Sequence, residues 1–319
     1  MIKFKINNKE YSASNEDTIW QVAKKNGINI PHLCHSDEVN YDPDGNCRAC
    51  VVQVNNERTL TASCIRKPTE GMEVFTEKND VKESQKIIFE LLAADQPDVD
   101  CHPDPDSKFW VWSKQLGIDP KKFPKNKNIK QDISHPSMLV NLEACINCNL
   151  CVRGCRDVQS NDVIGMAYRG NKSKVIFDFD DEMGSSSCVG CGECVQACPT
   201  GALMEKSLLN DEGKKVLYPD KEVNSLCPYC GVGCQTKVYV KDDKIVQIDG
   251  RDGPANNNKL CVKGRFGYDY IHSEERLQKP LIRREGVKKE AIEDYSKLKL
   301  EDFFREATWE EAYAHASKS

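Results

Sequence analysis

The sequence has no long apolar run. Its most hydrophobic stretch, Ile87 to Ala94, is short and interrupted by Glu90, well below the roughly 20 residues that cross a bilayer as a helix. Basic residues are not in excess: 45 stand against 50 acidic ones, for a net charge of −5. That balance leaves no electrostatic footprint for nucleic acid. The opening MIKFKINNKE has no apolar core of signal-peptide length, so a reducing, cytoplasmic setting is expected, where structural disulfides rarely persist. Also missing are a Gly-x-Gly-x-x-Gly nucleotide loop and any Ser/His/Asp or paired-carboxylate spacing suited to catalysis. His32, His35, His135, His272 and His315 are isolated and read as surface or packing residues. No catalytic residue is assigned, and the chain alone is not expected to turn over a substrate.

Cysteine is what the sequence has in quantity, 17 in 319 residues. An odd number excludes complete disulfide pairing, and so many thiols in a reducing compartment point to metal. They are grouped. Cys34, Cys47, Cys50 and Cys64 are spaced C-x12-C-x2-C-x13-C; Cys145, Cys148, Cys151 and Cys155 read C-x2-C-x2-C-x3-C. Cys188, Cys191, Cys194 and Cys198 repeat the second pattern and add Pro199. Cys227, Cys230, Cys234 and Cys261 read C-x2-C-x3-C-x26-C, and Cys101 stands alone.

The first segment reads as a β-grasp module. Ile2 to Ile6 alternate apolar and polar, Asn7-Asn8 offers a turn, and Glu10 to Ala13 return as a second strand. Asp17 or Thr18 caps a helix bearing Ile19, Val22 and Ala23, stopped by Gly27. Val51, Val52 and Val54 suit a strand, as do Met72 to Thr76. Three thiolates then share one loop and the fourth comes from across the module, a set suited to iron, with zinc or unrelated thiols as the rival readings. The 12-residue first gap resembles the [2Fe–2S] module of the complex I large iron–sulfur subunit, which also opens NAD-linked formate dehydrogenases and iron-only hydrogenases.

The central repeat is a two-[4Fe–4S] ferredoxin signature, in which the fourth cysteine of each motif serves the other cluster. The expected sets are Cys145, Cys148, Cys151 with Cys198, and Cys188, Cys191, Cys194 with Cys155. Arg156 stands where a proline usually follows the first motif. Between the motifs, Gly165 to Tyr168 and Val175 to Phe179 read as added strands about a Gly170-Asn171 turn. Asp178, Asp180 and Asp181 read as a solvated loop.

On spacing alone the last quartet admits a zinc ribbon. Alternating runs at Thr236 to Val240 and Lys244 to Ile248 follow it, with Asp249-Gly250 as a turn. The whole stretch from Cys227 to Arg265 resembles the [4Fe–4S] domain of molybdenum or tungsten bis-pterin enzymes, formate dehydrogenases above all. The resemblance implies that Lys263 relays electrons between cluster and pterin. Lys279-Pro280-Leu281-Ile282-Arg283 and Thr308-Trp309-Glu310-Glu311-Ala312 are similar to the family's approach to its pterin-binding body.

The expected architecture is thus α+β and multidomain: a [2Fe–2S] β-grasp ferredoxin (1–79), a helix and linker (80–137), a two-[4Fe–4S] ferredoxin (138–210), a small β-rich [4Fe–4S] domain (220–275) and a tail (276–319). The linker departs from the family. Ser84 to Ala94 resembles the helix leading to a histidine and three cysteines that bind a further cluster, yet Gln96-Pro97 replaces His-Pro and only Cys101 follows. That cluster is expected to be lost, with Trp110 and Trp112 filling its space. The resemblance implies an electron-transfer subunit of a formate dehydrogenase-like complex, relaying between a pterin subunit and a NAD-binding flavoprotein or ferredoxin. The alternatives are the front part of a longer formate dehydrogenase chain, and a docking subunit of a hydrogenase or complex I-like assembly without pterin.

Overall fold

The computed structural model describes residues 1–125, 130–287 and 299–318. Residues 126–129 of the expected linker, and 288–298 and 319 of the expected tail, lie outside the described residues. The chain forms two compact units, Met1–Gly267 and Tyr268–Ser319.

The first unit opens with strands β1 (Ile2–Ile6) and β2 (Lys9–Ala13), paired antiparallel with Ile2 opposite Ala13. Asn7 and Asn8 both take left-handed φ, 49° and 67°, the requirement of a tight hairpin turn that matches strand twist. Phe4 and Ile6 point inward while Lys3 and Lys5 face water, the period of two that makes a half-buried strand. Helix α1 (Ile19–Lys25) starts at Thr18, whose hydroxyl accepts from Gln21 N at 3.2 Å while Gln21 Oε1 accepts from Thr18 N at 2.8 Å. This reciprocal cap settles the start at Thr18; Asp17 instead binds Ser14 N and Lys25. Strands β3 (Val51–Val54), β4 (Thr61–Ala62) and β5 (Glu73–Phe75) complete a sheet of order β2-β1-β5-β3-β4, with β1 and β5 parallel. Ile19, Trp20, Val22 and Ala23 of α1 pack on Phe4, Ile6, Val52, Val54 and Val74. Each such large side chain contributes about 1.5–3 kcal/mol by leaving water.

Helix α2 (Asn79–Ala93) begins five residues before the expected segment, and α3 (Lys108–Leu116) follows. Their Phe89 and Phe109 rings stack at 5.7 Å. Next come β6 (Met138–Val140), α4 (Leu150–Arg153), β7 (Ile164–Ala167), β8 (Lys174–Phe177), α5 (Glu193–Ala197) and β9 (Leu203–Glu205). β6 pairs with β9, and β7 with β8. Strands β10 (Lys221–Leu226), β11 (Gln235–Lys241) and β12 (Lys244–Gly250) form an antiparallel sheet beside α6 (Val262–Phe266). The turn expected at Asp249-Gly250 is strand instead, and the β11–β12 turn lies at Asp242-Asp243, both at left-handed φ. Gly250 is there for close approach: a Cβ would collide with the Asn258 carbonyl.

The second unit holds β13 (Leu281–Arg283) antiparallel to β14 (Phe304–Glu306), the short α7 (Leu300–Phe303), and α8 (Trp309–Ala316) capped by Thr308.

Candidate iron–sulfur centres

In the first quartet Cys34, Cys50 and Cys64 are buried and Cys47 is half-buried. Cys34 N donates to Cys47 Sγ and Cys47 N to Cys34 Sγ, both at 3.4 Å. The Cys34 thiol lies within hydrogen-bonding reach of those of Cys47 and Cys64, and the Cys64 thiol within reach of that of Cys50. Contact with Cys64 is the main reason the Cys50 thiol is pulled down to about 7. The loop closes because Arg48 takes φ 57° and Gly45 takes φ 65°, where a Cβ would collide with the Ile65 side chain. Four sulfurs converging under backbone amides fit a cluster held by thiolates.

The central cysteines interleave. Cys145, Cys148 and Cys151 line one small cavity together with Cys198, closed by Leu142, Val175 and Leu203. Asn147 N donates to Cys145 Sγ at 3.4 Å. Burial, and after it the neighbouring Cys198 and Cys145, pushes the Cys148 thiol up. Cys155, on the turn after α4, sits instead with Cys188, Cys191 and Cys194: burial is the main cause of their raised thiols, and Cys155 raises all three further. Val163 N donates to Cys155 Sγ and Gly190 N to Cys188 Sγ, each at 3.4 Å. Apolar enclosure with amide donors aimed at sulfur suits a cubane, whose potential such bonds tune.

In the last quartet Cys227 N bonds Cys234 O at 2.9 Å. Burial raises the Cys234 thiol, and Cys227, Cys230 and Cys261 raise it further. A Cβ on Gly264 would meet Cys227 Sγ at 3.6 Å, so the start of α6 lies against the site. Lys263 is exposed on that helix.

Two buried arginines join these segments, and sequence reasoning missed both roles. Arg153, only 3% exposed, donates from Nη2 to Cys34 O at 2.6 Å and from Nη1 to Asp42 O, and faces Asp44 at 3.2 Å. Cys34, Tyr41, Cys148 and Leu150 pack as one apolar cluster behind it. Arg265, fully buried, donates from Nε to Cys191 O at 2.8 Å, from Nη2 to Gln196 Oε1 at 2.7 Å and from Nη1 to Asp249 Oδ1 at 2.7 Å. Its passage requires Gly192, where a Cβ would collide with Arg265 Cδ. Tyr41 donates to Glu193 Oε1 at 2.8 Å. An arginine inside a cysteine motif carries no sequence mark of burial; only the Arg265 position drew notice, and then through family likeness.

At the place of the departure from the family, Gln96 and Trp110 line a cavity of about 250 Å³ and Gln96 pairs with His102 beside it. Gln96 donates to Ala144 O at 3.0 Å and its Oε1 meets His102 Nε2 at 3.0 Å. Asp104 N donates to His102 Nδ1 at 3.1 Å, and Trp110 stands edge-on to the imidazole at 5.6 Å. Trp112 turns elsewhere, toward His32 at 6.2 Å. Cys101 is exposed. His32, His35 and His135 are packed rather than superficial: His35 and His135 are buried, and His32 lies 4.5 Å from the Trp20 ring.

Three segments of the chain match families of known proteins. Residues 1–79 match a 2Fe-2S iron-sulfur cluster binding domain, 144–202 a 4Fe-4S dicluster domain, and 220–273 a molybdopterin oxidoreductase Fe4S4 domain. The chain is a multidomain iron–sulfur protein. Similar proteins include the "Probable oxidoreductase YjgC" of Bacillus subtilis (31% identical, 96% of this chain and 33% of the relative). A NADH-quinone oxidoreductase subunit of Rhizobium meliloti is 30% identical over 90% of this chain and 33% of its own. The "Putative formate dehydrogenase YrhE" of B. subtilis is 30% identical over 98% and 34%. The iron–sulfur protein thus spans about one third of the length of these relatives. Its fold resembles a chain in the crystal structure of a NAD+-reducing [NiFe]-hydrogenase in the H2-reduced state, with a TM-score of 0.58, 23% identity, and coverage of 67% of this chain and 92% of that one. Among the described residues no helix is long and apolar enough to cross a membrane.

Proposed function

We propose that this iron–sulfur protein relays electrons within a cytoplasmic oxidoreductase assembly of the formate dehydrogenase type. The observation that supports the reading best is the neighbouring of cysteines in four groups, the two central ones interleaved along the chain, with Arg153 and Arg265 joining the segments that carry them. On this reading Cys34, Cys47, Cys50 and Cys64 hold a [2Fe–2S] cluster in a β-grasp domain (1–79). Cys145, Cys148, Cys151, Cys198 and Cys188, Cys191, Cys194, Cys155 hold two [4Fe–4S] clusters in a ferredoxin domain (138–210). Cys227, Cys230, Cys234 and Cys261 hold a third [4Fe–4S] cluster in the domain of 220–275. Bound clusters supply one-electron redox chemistry; the chain supplies thiolates, amide donors to sulfur and exclusion of water.

The partners in this reading are a molybdenum or tungsten pterin site, reached past Lys263, and a NAD-linked flavoprotein or a ferredoxin. Since the chain spans a third of its relatives, the pterin body belongs either to a partner or to the same polypeptide. Likeness to a NADH-quinone oxidoreductase subunit favours a second reading, an NADH-linked complex with no pterin. Iron and metal analysis of the native assembly tests both. About 14 irons per chain, summing the four assigned clusters, with molybdenum or tungsten present, is expected; iron near 10 with one zinc refutes the fourth cluster, and absence of both heavier metals selects the second reading. In the intact assembly Lys263→Ala should slow pterin-linked reduction without loss of iron.

A further inference from the structure

Glu205 ends β9 with 1% of its surface exposed. Neither carboxyl oxygen receives a well-formed hydrogen bond. An ionised carboxylate so placed lacks the compensation that buried charge requires. The groups around it explain why. From the β10–β12 sheet come Asp249, the Gln247 amide and the Tyr239 phenol; from α6 comes Arg265. Arg265 is the one cation of the set, and its donors are already committed to Asp249, Gln196 and the Cys191 carbonyl. From α5, Glu193 adds a further buried carboxyl, its Oε2 4.0 Å from Arg265. The paired strand β6, Met138–Val140, brings no charge. Burial, with Asp249 adding to it and Arg265 opposing, pushes the Glu205 carboxyl up to about 8.

Its place in the fold matters more. Two residues before Glu205, Leu203 lines the Cys145/Cys148/Cys151/Cys198 cavity. On its other side, Arg265 holds the carbonyl of Cys191 in the second set. An electron arriving at either set adds negative charge beside a carboxylate that is already poorly compensated, and a nearby like charge favours the neutral form.

We propose that Glu205 is a redox-linked protonation site, whose carboxylate takes up one solvent proton when a one-electron donor such as dithionite reduces a neighbouring cubane, and returns it on reoxidation. The cluster gains the electron, a Glu205 carboxyl oxygen gains the proton, and the net charge of the buried region is unchanged. The proposal rests on the reading of the two central cysteine sets as cubane sites. Asp249, with a side chain 18% exposed, offers the connection to solvent.

The test is a redox titration of the iron-loaded full chain, followed by electron paramagnetic resonance between pH 6 and 9. The midpoint of at least one central cubane should stay level below about pH 8, where the Glu205 carboxyl already holds its proton, and fall as pH rises above it; the fall should be lost in Glu205→Gln with iron and signals intact. Infrared difference spectra of wild type at pH 9 should show a carboxylic-acid carbonyl band that appears on reduction and shifts in D2O; this reading decides the matter if the variant fails to load iron. Midpoints that do not move between pH 8 and 9 while both cubane signals are present would overturn the proposal alone, as would an undiminished slope in Glu205→Gln or the absence of the carbonyl band at pH 9. Absence of cubane signals from wild type would overturn the underlying cluster reading with it.

Discussion

Arg153 reaches from α4 to the carbonyl oxygen of Cys34, 119 residues earlier in the chain, and donates to it at 2.6 Å. The same guanidinium faces Asp44 and the Asp42 carbonyl, so one side chain fixes both ends of the loop that carries the first cysteines. Arg153→Met keeps the buried stem and removes the charge-assisted bonds. It should lower stability by about 2–3 kcal/mol and speed amide exchange across residues 34–47 ahead of the rest of the unit. Exchange that stays uniform would remove this role.

Gly192 and Gly27 share a left-handed backbone, at φ 72° and 73°, but only Gly192 meets a neighbour. Alanine at either position incurs about 1–2 kcal/mol for the backbone. Gly192→Ala should add about 1–3 kcal/mol by displacing Arg265. Thermal unfolding of the two variants compares the costs directly, and equal losses would mean that Arg265 moves aside freely.

His102 is fully buried, and burial pulls its imidazole down to about 4 from 6.5. Between those values the unfolded chain binds a proton that the folded chain refuses, so stability falls as pH drops from about 6.5 toward 4 and gains no further slope from this residue below that. The loss amounts to at most about 3 kcal/mol. His102→Gln should flatten the slope; His32 and His35, pulled down to about 3 and 4 mainly by burial, leave part of it. Unfolding midpoints at pH 7.5, 6 and 5 measure the difference, and an unchanged slope would assign it elsewhere.

Trp110 fills the space beside His102 and Phe109. Trp110→Ala should cost about 3–5 kcal/mol with no change in iron per folded chain. Iron loss in step with the substitution would mean the region supports a cluster after all.

Part of the fold was legible because local spacing encodes local geometry: the Asn7-Asn8 hairpin and the Thr18 cap follow from residues near in sequence. Contacts between segments were not. Arg153 and Glu193 lie within cysteine motifs whose spacing is complete without them, and their partners, Cys34 and Tyr41, lie more than a hundred residues away. Asp249-Gly250 carried a real turn signal that tertiary structure overrode, since the close approach of Asn258 needs the glycine and Arg265 binds the aspartate. Glu205 had no sequence mark at all; its burial comes from the sheet of β10–β12 folding over it.

The plug of Gln96, His102 and Trp110 also bears on reversibility. The Gln96 amide and the His102 imidazole are satisfied by each other and by backbone, so neither side chain is held in readiness for a ligand, although a cavity of about 250 Å³ lies beside Gln96 and Trp110. Placing one of the family's ligands here by a single substitution would break this pairing before any cluster could form to offset the damage. The departure from the histidine-and-cysteine pattern at this place therefore works as a ratchet, easy to enter in small steps and open to return only through several simultaneous changes.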